Sequence, residues 1–438
     1  MLFISVGLFC AMTIDEIYTL FKQFPSIQTD SRQLHAGDLF FALKGERFNG
    51  NLFAEQAIEK GAAYAFIDER STNQSSEKII LVDDVLLTLQ ELAKFHRRQF
   101  QIPFIAITGS NGKTTTRELV HAVLSTTYKT YTTQGNLNNH IGIPLTILRI
   151  KKDAAIAVIE MGANHLKEIE GYCQYTLPTH GIITNAGKAH LEGFGGIEGV
   201  KKGKGELYDF LKTHHGTAFV MWDYDYLRKM SEGIAHIVTY GTQNADITGA
   251  VSQAEPFLSI DITKGITLDR ISTRLTGDYN LPNVLAAIAV GNYFKVAPEN
   301  IKTAIENYSP SNSRSQLIEK NSNKIILDAY NANPTSMRAA IENLAKFHAE
   351  NKILILGGMA ELGADSLQEH KNIVDLIGSY QWKDVVLVGG DFIKLNHPYR
   401  SFENSTQAKE WFQQQKFHDT YFLIKGSRSM QMEKVLEQ

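Results

Sequence analysis

The stretch Phe104-Ile-Ala-Ile-Thr-Gly-Ser-Asn-Gly-Lys-Thr-Thr-Thr116 decides the fold of the central part of the chain. An apolar run leads into a glycine-rich turn, and an amphipathic helical pattern follows Lys113. Glycines let backbone N–H groups curl around phosphate oxygens, Lys113 adds a positive charge, and the Thr114 hydroxyl can bind Mg²⁺. The stretch therefore predicts a buried strand, a phosphate loop and a helix.

This loop departs from the usual spacing, because Ile107 occupies the position of the first glycine and Gly109 is the nearest substitute. A glycine turn with a chance Gly-Lys-Thr is the alternative, which the strand and helix context disfavours. The candidate nucleotide-binding residues of the loop are Gly109, Ser110, Asn111, Gly112, Lys113, Thr114 and Thr115.

On both sides of this loop, apolar runs of strand length alternate with segments of helix length, which predicts an α/β fold with mostly parallel sheets. The length of 438 residues suggests about three domains, with expected bounds of 1–102, 103–310 and 311–438. Central strands are expected at 155–159, 181–184, 218–221 and 236–239, with an antiparallel extension over 245–275 and a helix over 281–293. Runs at 324–327, 352–356, 384–388 and 421–424 predict a Rossmann-like third domain.

The N-terminal part predicts a small α/β module, with strands in 38–45 and 63–67 and helices over 53–60 and 85–100. Residues 1–11 are apolar but lack the basic start of a signal peptide and are too short to span a membrane. Met12 is an alternative start, since Thr13 and Glu16 form a capping box that opens a helix.

The composition excludes several classes of protein. A net charge of −3 does not indicate the positive surface that binds nucleic acid or an anionic membrane. Two cysteines cannot form a disulfide framework. We therefore expect a cytoplasmic protein with no nucleic-acid or membrane partner. No motif addresses oligomeric state, and a monomer is the expectation.

Several polar residues at expected strand ends are typical of a magnesium and phosphate site. Glu160 and His190 each follow a predicted strand, and Asn138 lies in an amide-rich turn. Lys204 lies in a lysine-rich segment. The ordinary alternatives are a polar loop for Asn138 and a solvated basic face for Lys204. A lone glutamate is usually solvated and a lone histidine structural, and only the joint placement of Glu160 and His190 at sheet edges favours magnesium.

Together and in order, these segments resemble the muramyl ligase family of cell-wall synthesis. The resemblance rests on the phosphate loop, on Gly135-Asn-Leu-Asn-Asn139, on Lys204-Gly-Glu-Leu-Tyr208, on Gly277-Asp-Tyr-Asn-Leu-Pro-Asn283 and on Asp328-Ala-Tyr-Asn-Ala-Asn-Pro334. It spans nearly the whole chain beyond the first eleven residues. It implies three domains, which are a UDP-binding domain, a central ATPase domain and a C-terminal ligase domain.

The resemblance also implies site residues and cofactors. ATP and Mg²⁺ are expected, with Thr114, Glu160, His190 and a carbamylated Lys204 as metal ligands; the alternative for Lys204 is an ammonium that contacts phosphate. Asn280, Asn283, Arg314 and Asp328 are expected to reach ATP. Catalytic roles are expected for Lys113, Asn138, His190, Lys204, Arg314 and Asp328, and substrate contacts for Ser31, Arg32, Arg47, Tyr330, Asn331 and Asn333. Two positions depart from the family pattern, because Ala329 replaces an aspartate and Tyr279 a histidine.

The implied reaction joins D-alanyl-D-alanine to a UDP-N-acetylmuramoyl-tripeptide through an acyl phosphate, in peptidoglycan synthesis. A muramyl ligase that adds the third residue and a folylpolyglutamate synthase are alternatives, which the Tyr-Asn-Ala-Asn-Pro stretch disfavours. A noncatalytic nucleotide-gated module is a further alternative, which Glu160, His190 and Lys204 disfavour.

Overall fold

Buried strands followed by helices make up most of the structure, which is a computed structural model. It describes residues 12–46, 48–69, 76–311 and 313–437. The predictions for Arg47 and for the apolar segment 1–11 lie outside the described residues. The predicted capping box is confirmed, because Thr13 Oγ1 accepts from Glu16 N and Thr13 N donates to the Glu16 carboxylate.

The strands follow the chain in the order β1 (Ile27–Gln28), β2 (Leu39–Phe41), β3 (Lys44–Gly45), β4 (Phe48–Asn49), β5 (Tyr64–Ile67), β6 (Ile79–Leu81), β7 (Phe104–Thr108), β8 (Thr130–Thr132), β9 (Ile156–Glu160), β10 (His180–Ile183), β11 (Thr217–Met221), β12 (His236–Gly241), β13 (Ile247–Gln253), β14 (Ser259–Lys264), β15 (Ile271–Ser272), β16 (Gln316–Lys320), β17 (Asn323–Asp328), β18 (Asn351–Gly357), β19 (Asp384–Val388), β20 (Arg400–Phe402) and β21 (Thr420–Lys425).

The helices are α1 (Ile14–Gln23), α2 (Ala54–Glu59), α3 (Val85–Arg97), α4 (Lys113–Ser125), α5 (Gly142–Leu148), α6 (Glu168–Thr176), α7 (Leu191–Phe194), α8 (Ile197–Thr213), α9 (Asp225–Ser231), α10 (Leu281–Tyr293), α11 (Pro298–Asn307), α12 (Pro334–Ala345), α13 (Ser366–Ile377) and α14 (Ser405–Gln414).

The chain divides into two compact units. The first comprises the described residues up to Phe104 together with Tyr131–Met161 and Gly171–Pro178. Its parallel sheet has the order β1-β2-β5-β6, and its core includes Phe40, Ala54 and Ala65. Helix α3 packs against α1 and α5, and the buried His96 contacts the Ile150 carbonyl at 2.8 Å.

The second unit comprises Ile105–Thr130, Gly162–Glu170 and the described residues from Thr179 onward. One of its sheets has the order β15-β14-β13-β12-β11-β10-β7, parallel from β7 to β13 and antiparallel beyond. The other has the order β16-β17-β21-β18-β19-β20, with only the β16–β17 pair antiparallel. The carboxyl ends of the parallel strands carry the polar loops described below.

The α/β class with mostly parallel sheets is confirmed, and so is the antiparallel extension between β13 and β15. The division into two units does not follow the expected bounds at 102 and 310, which stay a prediction. Within the described ranges, no helix is both long and apolar enough to cross a bilayer.

Candidate active site

The phosphate loop connects β7 to α4. Gly109 and Gly112 have φ angles of 143° and 78°, a region that side chains with a Cβ rarely adopt. A Cβ on Gly112 would also lie 2.5 Å from Asn283 Oδ1. Backbone geometry therefore requires both glycines, which confirms the sequence-based prediction of a strand, a tight loop and a helix.

Residues that follow β10 hold the backbone of this loop. Ser110 N donates to the Asn185 carbonyl at 3.0 Å, and Asn111 N donates to Asn185 Oδ1 at 3.0 Å. The Asn111 carbonyl accepts from Thr184 Oγ1 at 2.6 Å and from Asn185 Nδ2 at 3.1 Å. The loop is therefore shaped by the chain itself, which is the preorganisation that phosphate binding requires.

Lys113 lies at the first position of α4. Its ammonium donates to the Gly109 carbonyl at 2.6 Å and to the Ser110 carbonyl at 3.3 Å. The lysine side chain therefore folds back onto the phosphate loop, and its positive charge lies where a bound phosphate would contact it.

The two asparagines predicted to contact adenine are buried beside this loop. Asn283 Oδ1 accepts from Thr116 Oγ1 at 3.1 Å, and Asn283 Nδ2 donates to Asn280 Oδ1 at 2.9 Å. Asn280 Nδ2 in turn donates to the Thr276 carbonyl at 2.8 Å. Both side chains thus tie the start of α10 to α4, and their contact with adenine stays a prediction.

Arg314 and Asp328 lie close together at the carboxyl end of β17. The Arg314 guanidinium carbon lies 3.5 Å from the centre of the Tyr330 ring, a cation–π contact. Asp328 accepts from Ser315 N at 3.1 Å and from the buried Lys425 ammonium at 2.5 Å. The structure thus brings Arg314, Asp328 and Tyr330 together. The contacts of Arg314 and Asp328 with ATP, and of Tyr330 with substrate, stay predictions.

His190 follows β10, and its Nδ1 contacts the carboxylate of Glu361. Both residues adopt left-handed backbone conformations, with φ of 52° and 60°, which is uncommon for residues other than glycine. The contact with His190 lowers the pKa of Glu361. The structure therefore gives His190 a carboxylate partner, and its predicted role as a metal ligand stays a prediction.

Lys204 is buried in the middle of α8, with 1% of the residue exposed. Its ammonium nitrogen donates to the Ala163 carbonyl at 2.8 Å and lies 4.9 Å from the centre of the Phe194 ring. Burial, followed by the charge of Lys113, lowers the pKa of Lys204 well below its ordinary value. These surroundings favour the neutral amine, which is the form that carbon dioxide modifies.

Glu160 ends β9 in the first unit and is 1% exposed. Its Oε1 accepts from Asn138 Nδ2 at 2.8 Å, and its backbone N–H donates to Thr133 Oγ1 at 2.9 Å. The structure therefore brings Asn138 and Glu160 together, a contact that the sequence did not predict. The predicted roles of Glu160 as a metal ligand and of Asn138 as a catalytic residue stay predictions.

The remaining predicted substrate residues lie in several places. Arg32 is exposed and forms a two-point ion pair with Asp30, at 2.9 and 2.7 Å, while the Ser31 carbonyl accepts from Lys60. The Asn331 backbone carbonyl accepts a hydrogen bond from the Lys425 ammonium at 3.1 Å. The structure thus gives internal partners to the Arg32 side chain and to the backbone carbonyls of Ser31 and Asn331, and the predicted substrate contacts are untested.

The donor set fits magnesium held partly by a nucleotide. Within the described ranges, no three His, Cys, Asp or Glu side chains are grouped to hold a metal. The predicted ligands are instead a hydroxyl, one carboxylate, one imidazole and a lysine that gains oxygen atoms on carbamylation. Such a set needs further oxygens from phosphates, which Mg²⁺ commonly uses.

Sequence reasoning missed the roles of Lys425 and Glu361. Lys425 pairs with Asp328 because β21 lies beside β17 in parallel register, a pairing between residues 97 positions apart. Glu361 follows a glycine turn after β18 and reaches His190. The sequence did show a charged residue near the end of a strand in each case. Its partner could not be identified without the order of the strands in the sheet.

A phosphate loop, a buried lysine and an acidic strand end in a second sheet are groups that an ATP-dependent ligase would need to form an amide bond. The chain belongs to the Mur ligase family. Three family models match it: the Mur ligase family catalytic domain over residues 23–97, the Mur ligase middle domain over 107–291 and the Mur ligase glutamate ligase domain over 313–428.

Curated relatives match along nearly the full length. The chain is 37% identical to UDP-N-acetylmuramoyl-tripeptide–D-alanyl-D-alanine ligase of Bacillus subtilis, covering 94% of this chain and 92% of that protein. It is 34% identical to the enzyme of the same name from Escherichia coli, with the same coverage of both chains.

Solved structures agree with these relatives. MurF from Acinetobacter baumannii superposes with a TM-score of 0.86 at 31% identity, covering 94% of this chain and 92% of that one. MurF ligase from Thermotoga maritima in complex with ADP gives a TM-score of 0.84 at 26% identity, covering 94% and 96%. Folylpolyglutamate synthase from the same organism, at 14% identity and a TM-score of 0.60, shares the fold alone.

Proposed function

We propose that the protein joins D-alanyl-D-alanine to UDP-N-acetylmuramoyl-tripeptide at the expense of ATP, a step of peptidoglycan synthesis in the cytoplasm. The observation that carries the proposal is similarity over 94% of the chain to ligases with this named activity, at up to 37% identity. The related folylpolyglutamate synthase reaches only 14% identity, which favours the D-alanyl-D-alanine ligase over that alternative.

The reaction has two steps. An oxygen of the tripeptide carboxylate attacks the γ-phosphorus of ATP, the bond from that phosphorus to the bridging oxygen breaks, and ADP leaves. The amine of D-alanyl-D-alanine then attacks the acyl carbon, phosphate departs with the acyl oxygen–phosphorus bond intact, and the amine loses a proton. Both steps gather negative charge, which fixed positive groups stabilise.

The phosphate loop holds the nucleotide in the first step. Lys113 would leave the carbonyls of Gly109 and Ser110, which it contacts at 2.6 and 3.3 Å, for the phosphate oxygens. Arg314 would supply a second cation from the segment that precedes β16. Tyr330 limits the conformations of Arg314 by stacking against its guanidinium.

Magnesium, when bound, would neutralise phosphate charge during both steps. We assign Thr114 and Glu160 to one ion, and His190 and a carbamylated Lys204 to another. Asn138 orients Glu160 through the 2.8 Å hydrogen bond to its Oε1. The burial of Lys204 supports its modification, since a neutral amine is needed and an ammonium would repel the metal.

The test is phosphate release by the purified protein with ATP and Mg²⁺. We expect release only when UDP-N-acetylmuramoyl-tripeptide and D-alanyl-D-alanine are both present, with the pentapeptide product identified by mass. Tripeptides ending in lysine and in diaminopimelate should be compared. Turnover with a UDP-N-acetylmuramoyl-dipeptide and a free amino acid, or with a folate and glutamate, would contradict the proposal.

A further inference from the structure

The side chains of Asn111 and Asn333 face each other across 222 positions of sequence. Asn333 Nδ2 donates to Asn111 Oδ1 at 2.7 Å, and Asn111 Nδ2 lies 3.5 Å from Asn333 Oδ1. Asn111 belongs to the phosphate loop, and Asn333 precedes α12 beside the second sheet of the same unit. The pair thus connects the phosphate loop directly to the start of α12.

A second role of Asn333 fixes the orientation of its amide. Asn333 caps α12, because its Oδ1 accepts from Ser336 N at 2.9 Å and Ser336 Oγ accepts from Asn333 N at 3.1 Å. The oxygen must face the helix for this cap, so the nitrogen is directed towards Asn111. Asn111 must then present its own oxygen, which removes the freedom of its side chain to flip.

Neighbouring contacts bring the first turn of α12 against the loop that follows β10, and that loop in turn contacts the phosphate loop. Lys188 N donates to Thr335 Oγ1 at 3.1 Å, and a Cβ on Gly187 would lie 2.9 Å from that oxygen. Ser110 Oγ donates to the Gly187 carbonyl at 2.9 Å. Asn333 is 6% exposed, so its hydrogen bonds are largely shielded from competing water.

We infer that Asn333 is a positioning residue for nucleotide binding, which acts through Asn111 to hold the phosphate loop in its binding shape. The loop must point several N–H dipoles at one place, which is unfavourable without external support. Thr184 and Asn185 support its backbone from the β10 side, and Asn333 supports it from the α12 side. The inference rests on the ATP dependence of the proposed function.

The test variant is Asn333→Ser, because serine also caps helices well but is too short to reach Asn111. The matched control is Asn404→Ser, since Asn404 caps α14 by accepting from the backbone N–H groups of Thr406 and Gln407, each at 3.1 Å. We expect Asn333→Ser to weaken ADP binding about tenfold in calorimetry, the equivalent of one hydrogen bond. The control should bind ADP like the unaltered chain, and both variants should keep its melting temperature within a few degrees.

A double-mutant cycle with Asn111→Ala tests whether the two residues act together. Under the inference, the double variant binds ADP no more weakly than the worse single variant, because both changes remove one interaction. The inference would be overturned if the double variant weakened ADP binding by the product of the two single effects. It would also be overturned if Asn333→Ser bound ADP as tightly as Asn404→Ser. A higher KM for D-alanyl-D-alanine with unchanged ADP affinity would overturn it too, because it would make Asn333 a substrate contact. An unaltered chain that binds no ADP would instead refute the proposed function.

Discussion

At the scale of the single residue, Lys113 offers the sharpest test of the phosphate loop. Lys113→Ala removes a cation that the first step needs, and we expect kcat to fall about 10²-fold or more. The loop should keep its shape, since Thr184 and Asn185 hold its backbone. Steady-state phosphate release measures the effect, with Lys129→Ala, an exposed lysine just beyond α4, as the matched control. Turnover of a folded Lys113→Ala protein equal to the control would refute the loop's role.

Lys204 carries the second prediction at this scale. Lys204→Ala should abolish turnover, and added formate or acetate should restore part of it, because a small carboxylate can replace the oxygens of a carbamate. The space is available, since the lysine fills a buried site beside Ala163 and Phe194. Phosphate release is measured with carboxylates and with alkylamines at equal ionic strength. Rescue by alkylamines alone would show that an ammonium is needed and would eliminate the carbamate.

At the scale of the element, the pair Asp328–Lys425 joins the carboxyl ends of β17 and β21. The side chain of Lys425 is only 2% exposed, so removal of its partner leaves a buried charge. We expect Asp328→Ala to destabilise the protein by about 3 kcal/mol, a typical cost for one half of a buried pair. Adding Lys425→Met should recover most of this loss, because no charge then stays buried. Urea unfolding measures both, and additive losses in the double variant would contradict the account.

The elements themselves were largely predictable from local patterns. The helix expected over 281–293 has those bounds, and the strand expected over 104–108 is β7. The phosphate loop was predictable too, because its glycines, lysine and threonines are contiguous in the chain. Periodicity, capping and turn residues act over a few positions, so a single sequence carries these signals.

Contacts between distant elements were not predictable in the same way. The Asp328–Lys425 pair depends on β21 lying beside β17, and the Asn111–Asn333 pair depends on where α12 begins. Tertiary packing decides both, and many strand orders satisfy the same local pattern. The family resemblance predicted site residues one by one but not which side chains they touch.

At the scale of the whole molecule, buried neutral histidines in both units make stability depend on pH. Burial lowers the pKa of His96 and of His370 below 6.5 and lowers that of His180 to about 4. His370 Nε2 accepts from Met359 N at 3.0 Å, and protonation would remove this acceptor. Since the unfolded chain binds these protons first, the free energy of unfolding is at its full value above about pH 6.5. It falls as the pH drops from there towards the folded-state values.

His180 allows this linkage to be measured at one site. It packs against Phe219, Tyr293 and Phe294, where an imidazolium is poorly solvated. Between pH 6.5 and 5, the contribution of His180 to the free energy of unfolding should fall by about 2 kcal/mol, because each pH unit in this window costs about 1.36 kcal/mol. Paired carboxylates such as Glu361, whose pKa is lowered from 4.5, respond mainly at lower pH and leave this window clear.

The corresponding variant is His180→Phe, which keeps an aromatic ring but cannot be protonated. We expect urea unfolding at pH 7.5 and pH 5.0 to show a smaller loss of stability for this variant than for the unaltered chain, by about 2 kcal/mol. His418→Gln is the control, because it removes an exposed histidine at the surface of the protein. An equal loss in all three proteins would contradict the prediction, because it would mean that folding does not lower the pKa of His180. The loss of stability between these two pH values would then have to come from His96 or His370, each of which the same comparison can test.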